Sequence, residues 1–453
     1  MGCGASLPKT PQGGDKPKKP AADKVDAPAR PGLTRRNSQA LPAAPGPARP
    51  GMTRRNSQAL GSFAMPDAPV VPKPPFDLTK GKENSCKHLF ESLESTKSVW
   101  VKMMSKATAP AVGTEMRLMF IADQDQASRV GEDAKWETKL ASGVLKYHGN
   151  LGEGSYTLTA GPEARLYTRR GDKDGRGAEY SALELFDGKL LTMCDRTGNC
   201  DEIKITADGT LDIVPLVDAA GLPVAFRMGD GKKDKALKVE WATKKDGVLV
   251  VGSTGKERTD DDGNVVHEGE MWVKKLAAST YEIEHVDMRS FYNALRVAAR
   301  CEQGAGYMIH EGGRWSDVHG AWLFMPRKLS RERYDEVVDA AKCVNLMLTC
   351  PDPPAPDGAN VAMGEYLEFC DLRGCSDFLF VPGSNDCHIF VIRTEETLEG
   401  VLSTYASVID LEGKVLMPEA VFQTERKFEG VAEVTEAFWE ALVKSAAAEG
   451  VTP

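Results

Sequence analysis

The chain has 453 residues, with 57 Lys and Arg against 66 Asp and Glu for a net charge of −9, and 41% of it is apolar. This is the composition of a soluble globular protein, and no run approaches the roughly 18 consecutive apolar residues of a membrane-spanning helix. At roughly 150 residues per domain the length suggests three domains, although all-β barrels and propellers exceed that figure as one unit. The amino terminus has no apolar stretch ahead of a small-residue cleavage site, so no secretory leader is expected. The ten cysteines are therefore expected as thiols in a reducing compartment.

Residues 1–80 are a separate object. They hold 13 Lys and Arg against 5 Asp and Glu, net +8, and 15 of the 27 prolines. Such a segment buries too little apolar area to offset its ordering entropy, and disorder is predicted. The remaining residues carry 44 basic and 61 acidic groups, net −17, and a nucleic-acid partner is not expected of so acidic a body. The opening Met-Gly-Cys-Gly-Ala-Ser fits N-myristoylation at Gly2, with Cys3 as a palmitoylation candidate. Two chains aided by the basic tail would anchor the protein stably on the cytoplasmic face of a membrane, which one chain does not achieve. Between Pro28 and Leu60 one unit occurs twice, offset by 19 residues, each copy containing Arg-Arg-Asn-Ser. Two arginines just ahead of a hydroxyl resemble the substrate pattern of a basophilic protein kinase, with Ser38 and Ser57 as acceptors.

From Asn84 to about Lys106, apolar residues at near-helical spacing, with Ser85 as a cap, predict an amphipathic helix over 81–106. Beyond it, short apolar runs follow the turn pairs Asp187-Gly188, Asp246-Gly247, Asp262-Gly263 and Glu412-Gly413. Serial hairpins of this kind predict an all-β sandwich or a propeller. Only 331–342 and 433–449 read as helical within this part, the latter as a cap with Phe438, Trp439, Leu442 and Val443 on one face. Phosphate-cradling glycine loops are missing, and Cys370, Cys375, Cys387 and His388 match no zinc spacing. Asp172, Asp174 and Asp260–Asp262 fit an EF-hand only superficially.

Nine segments carry a more specific signal: I-A-D-Q-D-Q-A-S-R (121–129), G-R-G-A-E-Y-S-A-L (175–183), C-D-R-T-G (194–198), K-V-E-W (238–241), Y-N-A-L-R (292–296), G-Y-M-I-H-E-G-G-R-W-S-D (306–317), M-P-R-K-L-S-R-E-R-Y (325–334), G-C-S-D-F-L-F-V-P (374–382) and K-F-E-G (427–430). In this order they resemble the calcium-activated nucleotidase (apyrase) family over about residues 115–432. The resemblance implies a five-bladed β-propeller over 107–432, followed by a carboxyl-terminal helix and tail over 433–453. It also implies one Ca2+ in the central tunnel and hydrolysis of nucleoside di- or triphosphates. It places the calcium ligands at Ser181, Glu240, Glu311, Ser376 and Glu429, whose gaps of 59, 71, 65 and 53 residues are about one blade each. Three carboxylates with serine oxygens and water make the hard oxygen shell that calcium favours. Asp123, Asp125 and Glu179 are implied as catalytic, Asp125 first for orienting or deprotonating the attacking water, and Arg129, Arg176 and Arg327 as phosphate clamps. Two positions depart from the family: Ala182 stands where it has Asp, and Lys328 where it commonly has a second Arg. Trp241 is expected as a buried propeller tryptophan, with base stacking as the alternative. A calcium-dependent nucleoside diphosphatase held at a membrane is the reading these features favour. The alternative is a noncatalytic calcium-binding scaffold regulated by phosphorylation, with Ala182 as its direct support.

Overall fold

The structure, a computed structural model, describes residues 94–449 apart from 150–151, 261–263, 398–399 and 401. Gly2, Cys3, Ser38, Ser57, the Ser85 cap and the Asp262-Gly263 turn lie outside the described residues. Helix α1 spans Glu94–Met104, within the 81–106 stretch where a helix is predicted. It docks through Trp100 and Met103, and the Trp100 indole donates to the Met363 carbonyl at 2.9 Å.

Twenty-three strands follow among the described residues. Strands β1 (Glu115–Asp123), β2 (Trp136–Tyr147), β3 (Tyr156–Ala160) and β4 (Ala164–Thr168) form one sheet. The first complete blade is β5 (Tyr180–Phe186), β6 (Lys189–Cys194), β7 (Cys200–Ile205) and β8 (Leu211–Pro215). The second is β9 (Trp241–Lys245), β10 (Val248–Gly252), β13 (Trp272–Ala277) and β14 (Ile283–Asp287), interrupted by the hairpin β11 (Arg258–Thr259) and β12 (Val265–His267). The third is β15 (Tyr307–Ser316), β16 (Ala321–Ser330), β17 (Leu346–Cys350) and β18 (Ala362–Glu365), and the fourth is β19 (Arg373–Phe380), β20 (His388–Glu396), β21 (Leu402–Asp410) and β22 (Val415–Thr424). The last strand, β23 (Lys427–Glu433), pairs with β1 and completes the first sheet. This is a five-bladed β-propeller whose two chain ends close the ring within one sheet, which removes the open edge a row of blades would leave.

Turn chemistry works as read at two sites. Asp187-Gly188 and Asp246-Gly247 both adopt positive φ and join consecutive strands in two residues, the geometry that twists with a hairpin. Five apolar clusters lie at the junctions between neighbouring blades. Helical content departs from expectation in three places. Helix α2 (Arg289–Ala298) falls inside a stretch read as strands and turns, and it buries Phe291, Tyr292, Ala294, Leu295 and Arg296. The segment 331–342 contains only the single turn α3 (Glu336–Asp339), capped by Asp335. The terminal helix α4 (Glu436–Ala448) does cap the ring, but it buries Phe438, Ala441, Leu442, Ser445 and Ala446, and Val443 faces solvent. The eight described cysteines are free thiols, and His388 bonds the Tyr156 hydroxyl at 2.7 Å without meeting Cys370 or Cys375. Among the described residues no helix is long and apolar enough to cross a membrane.

Below the axial site the ring is tied by a buried guanidinium. Arg314 of β15 donates to Glu184 of β5 at 2.5 Å, to both oxygens of Asp377 of β19 at 3.1 Å and to the Phe378 carbonyl, while Asp377 accepts from the Val431 amide of β23 at 3.0 Å. One side chain thus links the inner strands of four blades. Arg314→Ala leaves the buried Asp377 without its cation and Glu184 with only the exposed Lys244 at 3.2 Å, and is expected to cost about 3–5 kcal/mol in urea unfolding. Arg117→Ala, at the exposed Glu436 pair, is expected to stay within about 1 kcal/mol; equal effects would contradict the tie.

Candidate functional site

The innermost strands β5, β9, β15, β19 and β23 contact one another in a ring. Four of them carry a β-bulge, and the residue skipped by the pairing is in each case one of the five implied ligands. The register passes over Ser181 between Tyr180 and Ala182, Glu311 between His310 and Gly312, Ser376 between Cys375 and Asp377, and Glu429 between Phe428 and Gly430. The fifth, Glu240, immediately precedes β9, its amide donating to the Gly252 carbonyl at 3.0 Å. Arg327 occupies a further bulge on β16, opposite Ile309 and His310. A bulge takes a residue out of the ladder and re-aims its side chain, so these breaks in pairing allow the oxygens to converge. Gly430 permits the approach of β23 to β5, since a Cβ there would lie 2.6 Å from the Leu183 nitrogen.

The oxygens are connected by three cations. Ser181 donates to Glu429 at 2.8 Å, and Glu429 lies 3.1 Å from the Lys427 ammonium, which is also 3.1 Å from Asp123. Arg327 donates to Glu311 and Ser376 at 2.8 Å and to Thr394 at 2.6 Å. Lys238 pairs with Asp195 at 2.9 Å and with Glu240. Burial pushes the Glu240 carboxyl well above its usual range, against Lys238 and with Glu311, Asp195 and Glu429 adding to the rise. Burial acts on Glu429 in the same direction, yet Lys427, Arg327 and Lys238 together hold it down to about 2.

At the rim, carboxylate oxygens of Asp123, Asp125 and Glu179 lie within 4.8 Å of one another. Asp123 and Glu179 are buried, whereas the Asp125 side chain is 50% exposed. Arg176 grips both oxygens of Glu179 and reaches Asp125 at 3.3 Å; Lys427 is 3.7 Å from Asp125. Asp125 sits at φ +46° with its amide bonded to Asp123 at 2.8 Å, and Ala178, just before Glu179, sits at φ +56°. Left-handed backbone costs an L-residue about 1–2 kcal/mol, and here it occurs at or beside two of the three carboxylates. Arg129 lies outside this group, exposed and bonded weakly to the Gly175 and Glu132 carbonyls at 3.5 Å.

Two observations bear on whether a cation fits. Glu240 Oε2 and Asp195 Oδ1 are buried with no hydrogen-bond partner, which is costly unless something positive meets them. Counted as fully ionised, five carboxylates (Asp123, Asp195, Glu240, Glu311 and Glu429) face three cations (Lys238, Lys427 and Arg327), a formal excess of two negative charges, and burial pushes the Asp123, Glu240 and Glu311 carboxyls up. An all-oxygen set with that excess suits a hard divalent ion.

The two departures from the family are visible. The Ala182 carbonyl accepts from the Thr192 hydroxyl at 3.0 Å, and Lys328 pairs with Asp339 at 2.7 Å. Trp241 is buried, its indole donating to the Ser253 carbonyl at 3.1 Å. Sequence reading assigned no role to Lys238, Lys427, Asp195 or Glu396. The first two could have been found, because each stands two residues before an implied ligand, and in extended backbone i and i+2 share a face.

Comparison with known proteins is consistent with this geometry. The family model described as apyrase matches residues 124–434. Soluble calcium-activated nucleotidase 1 of Rattus norvegicus is 35% identical over 319 residues, 70% of this chain and 74% of its own length. Apyrase apy-1 of Caenorhabditis elegans is 34% identical over 319 residues, 70% of this chain and 84% of its own. The apyrase of Cimex lectularius is 34% identical over 312 residues, 69% and 80% respectively. With the family match covering residues 124–434, which include all five implied ligands, the chain belongs to the apyrase family and is a nucleotide-hydrolysing enzyme.

Proposed function

We propose that this enzyme is a calcium-dependent nucleoside diphosphatase acting at a membrane surface. The observation that carries the calcium requirement is the ring of inner strands that sets Ser181, Glu311, Ser376 and Glu429 at bulges and Glu240 at the start of β9, with orphaned buried oxygens on Glu240 and on the neighbouring Asp195. Calcium, when bound, would supply the positive charge that an acidic ring needs to accept a phosphoanhydride. The relative of Rattus norvegicus is named for activation by calcium, which supports the same reading.

The chain's own groups divide the remaining work. Arg176, fixed by the buried Glu179, presents its guanidinium beside Asp125 and clamps phosphate oxygens; Glu179 is thus a positioning residue. Arg327, bonded to Glu311 and Ser376, adds positive charge. Asp125, half-exposed and held between Arg176 and Lys427, orients the attacking water and takes its proton. A new P–O bond then forms to the terminal phosphorus as the bridging P–O bond breaks, and the shorter nucleotide leaves with the bond's electron pair. Acyl chains on Gly2 and Cys3 hold the enzyme at the cytoplasmic face. Phosphorylation of Ser38 and Ser57 takes the tail from +8 to roughly +4 or +5 and loosens it from anionic lipid. Low resting calcium keeps the activity silent among cytosolic nucleotides.

Phosphate release from GDP, UDP, ADP and ATP by the full chain tests this reading. Turnover is expected to rise with free calcium, not magnesium, and to favour diphosphates; equal turnover without calcium would contradict it. Asp125→Asn is expected to lower kcat about 100-fold or more with little change in KM. Glu240→Gln separates charge from folding. Without added ion the variant is expected to melt no lower than wild type, because the amide relieves buried carboxylate repulsion. Calcium at 100 times the wild-type Kd is expected to stabilise wild type by about 2.7 kcal/mol and the variant by clearly less. Equal stabilisation would remove Glu240 from the ion site.

A further inference from the structure

A cavity of about 290 Å³ opens beside the axial group, between the third and fourth blades. Arg327 and Lys328 line it from β16, Tyr334, Glu336 and Asp339 from the connection to β17, and Glu396 from the end of β20. Its size is near the lower end of the roughly 300–1,000 Å³ of small-molecule sites. Glu396 joins it to the rim, lying 3.8 Å from Arg327 and 3.9 Å from Lys427, and Lys427 is the cation that faces Asp123 and Asp125.

The chemistry changes along the cavity. Its inner end carries the Arg327 guanidinium. Along the wall, Lys328 and Asp339 neutralise each other at 2.7 Å, and the second Asp339 oxygen accepts from the Tyr307 hydroxyl at 2.7 Å. The outer end holds the Tyr334 ring, fixed by the Lys256 ammonium 4.2 Å from its centroid and by Tyr307 packed at 5.4 Å. Beside it stands the exposed Glu336 carboxylate, which has no ion pair among the described residues.

We infer that this cavity takes the nucleoside half of the substrate, with the base stacked on Tyr334 and its N–H groups donating to Glu336. The inference rests on the phosphates being held at the axial end, as proposed above. A phosphoanhydride needs the cationic end, whereas a base needs an aromatic face and a hydrogen-bonding edge. A carboxylate accepts both parallel donors of guanine, the ring N–H and the exocyclic amine, but adenine offers one amine beside an acceptor nitrogen. Glu336 therefore favours guanine over adenine.

Calorimetric binding of GMP and AMP to the full chain tests this without requiring turnover, and hydrolysis of base-free tripolyphosphate reports on the axial end. Tyr334→Ala is expected to weaken GMP binding by about 5-fold to 100-fold, with Tyr334→Phe retaining wild-type affinity and tripolyphosphate turnover unchanged in both. Glu336→Gln is expected to narrow the GMP-to-AMP affinity ratio. Unchanged GMP affinity in Tyr334→Ala, or parallel loss of GMP binding and tripolyphosphate turnover, would overturn the assignment. Tyr334-dependent GMP binding in a protein that hydrolyses no phosphoanhydride would uphold the cavity and defeat the diphosphatase reading instead.

Discussion

The structure depends on holding like charges together at the axis of the ring. Carboxylates repel, and burying them makes the repulsion worse, because the medium around them screens less than water does. Here Asp123, Asp195, Glu240, Glu311 and Glu429 are buried or half-buried, close enough to act on one another, on or directly beside the strands of the ring. Apolar packing at the blade junctions and the Arg314 tie provide the opposing stability. Lys238, Lys427 and Arg327 compensate most of the formal charge, and the remainder of two units is what the proposed divalent ion would offset.

The bulges are the local means. A regular antiparallel ladder sends successive side chains to opposite faces, so an axial side chain can be added without disturbing the rest of the blade only by inserting an unpaired residue. The same device appears at Ser181, Glu311, Ser376 and Glu429 in four different blades, and at Arg327 on the neighbouring strand. The left-handed backbone at Asp125 and Ala178 is a second device of the same kind, placing the rim carboxylates where straight strands would not.

Much of the fold was legible, for identifiable reasons. Asp187-Gly188 and Asp246-Gly247 announce hairpins because few other dipeptides accept two positive φ angles. Helix α2 was not read because Phe291, Tyr292 and Val297 are strand-favouring residues within a short run; the buried spacing of 291, 292, 294 and 295 decides for helix only once neighbours exist to cover it. The opposite error at 331–342 arose because charge-rich residues with good helix propensity surround an apolar pair, Val337-Val338, that stays exposed. For the site, family resemblance supplied the oxygens and arginines, while spacing alone said only that they recur once per blade. The bulges were invisible, because register is a relation between two strands and no single strand encodes it. Lys238 and Lys427 were within reach through their i, i+2 relation to Glu240 and Glu429. Asp195 stood in the C-D-R-T-G segment without an assigned role, and Glu396 lay in no segment that was singled out.

Whether the axial oxygens form one divalent-ion site is open to direct measurement. Equilibrium dialysis of the full chain against radioactive calcium counts bound ions directly, without reference to substrate or turnover. One calcium per chain, absent from a Glu240→Gln, Glu311→Gln double variant that still shows the wild-type near-ultraviolet circular dichroism, is the predicted result. No saturable binding by wild type, or an undiminished single ion in the double variant, would contradict it.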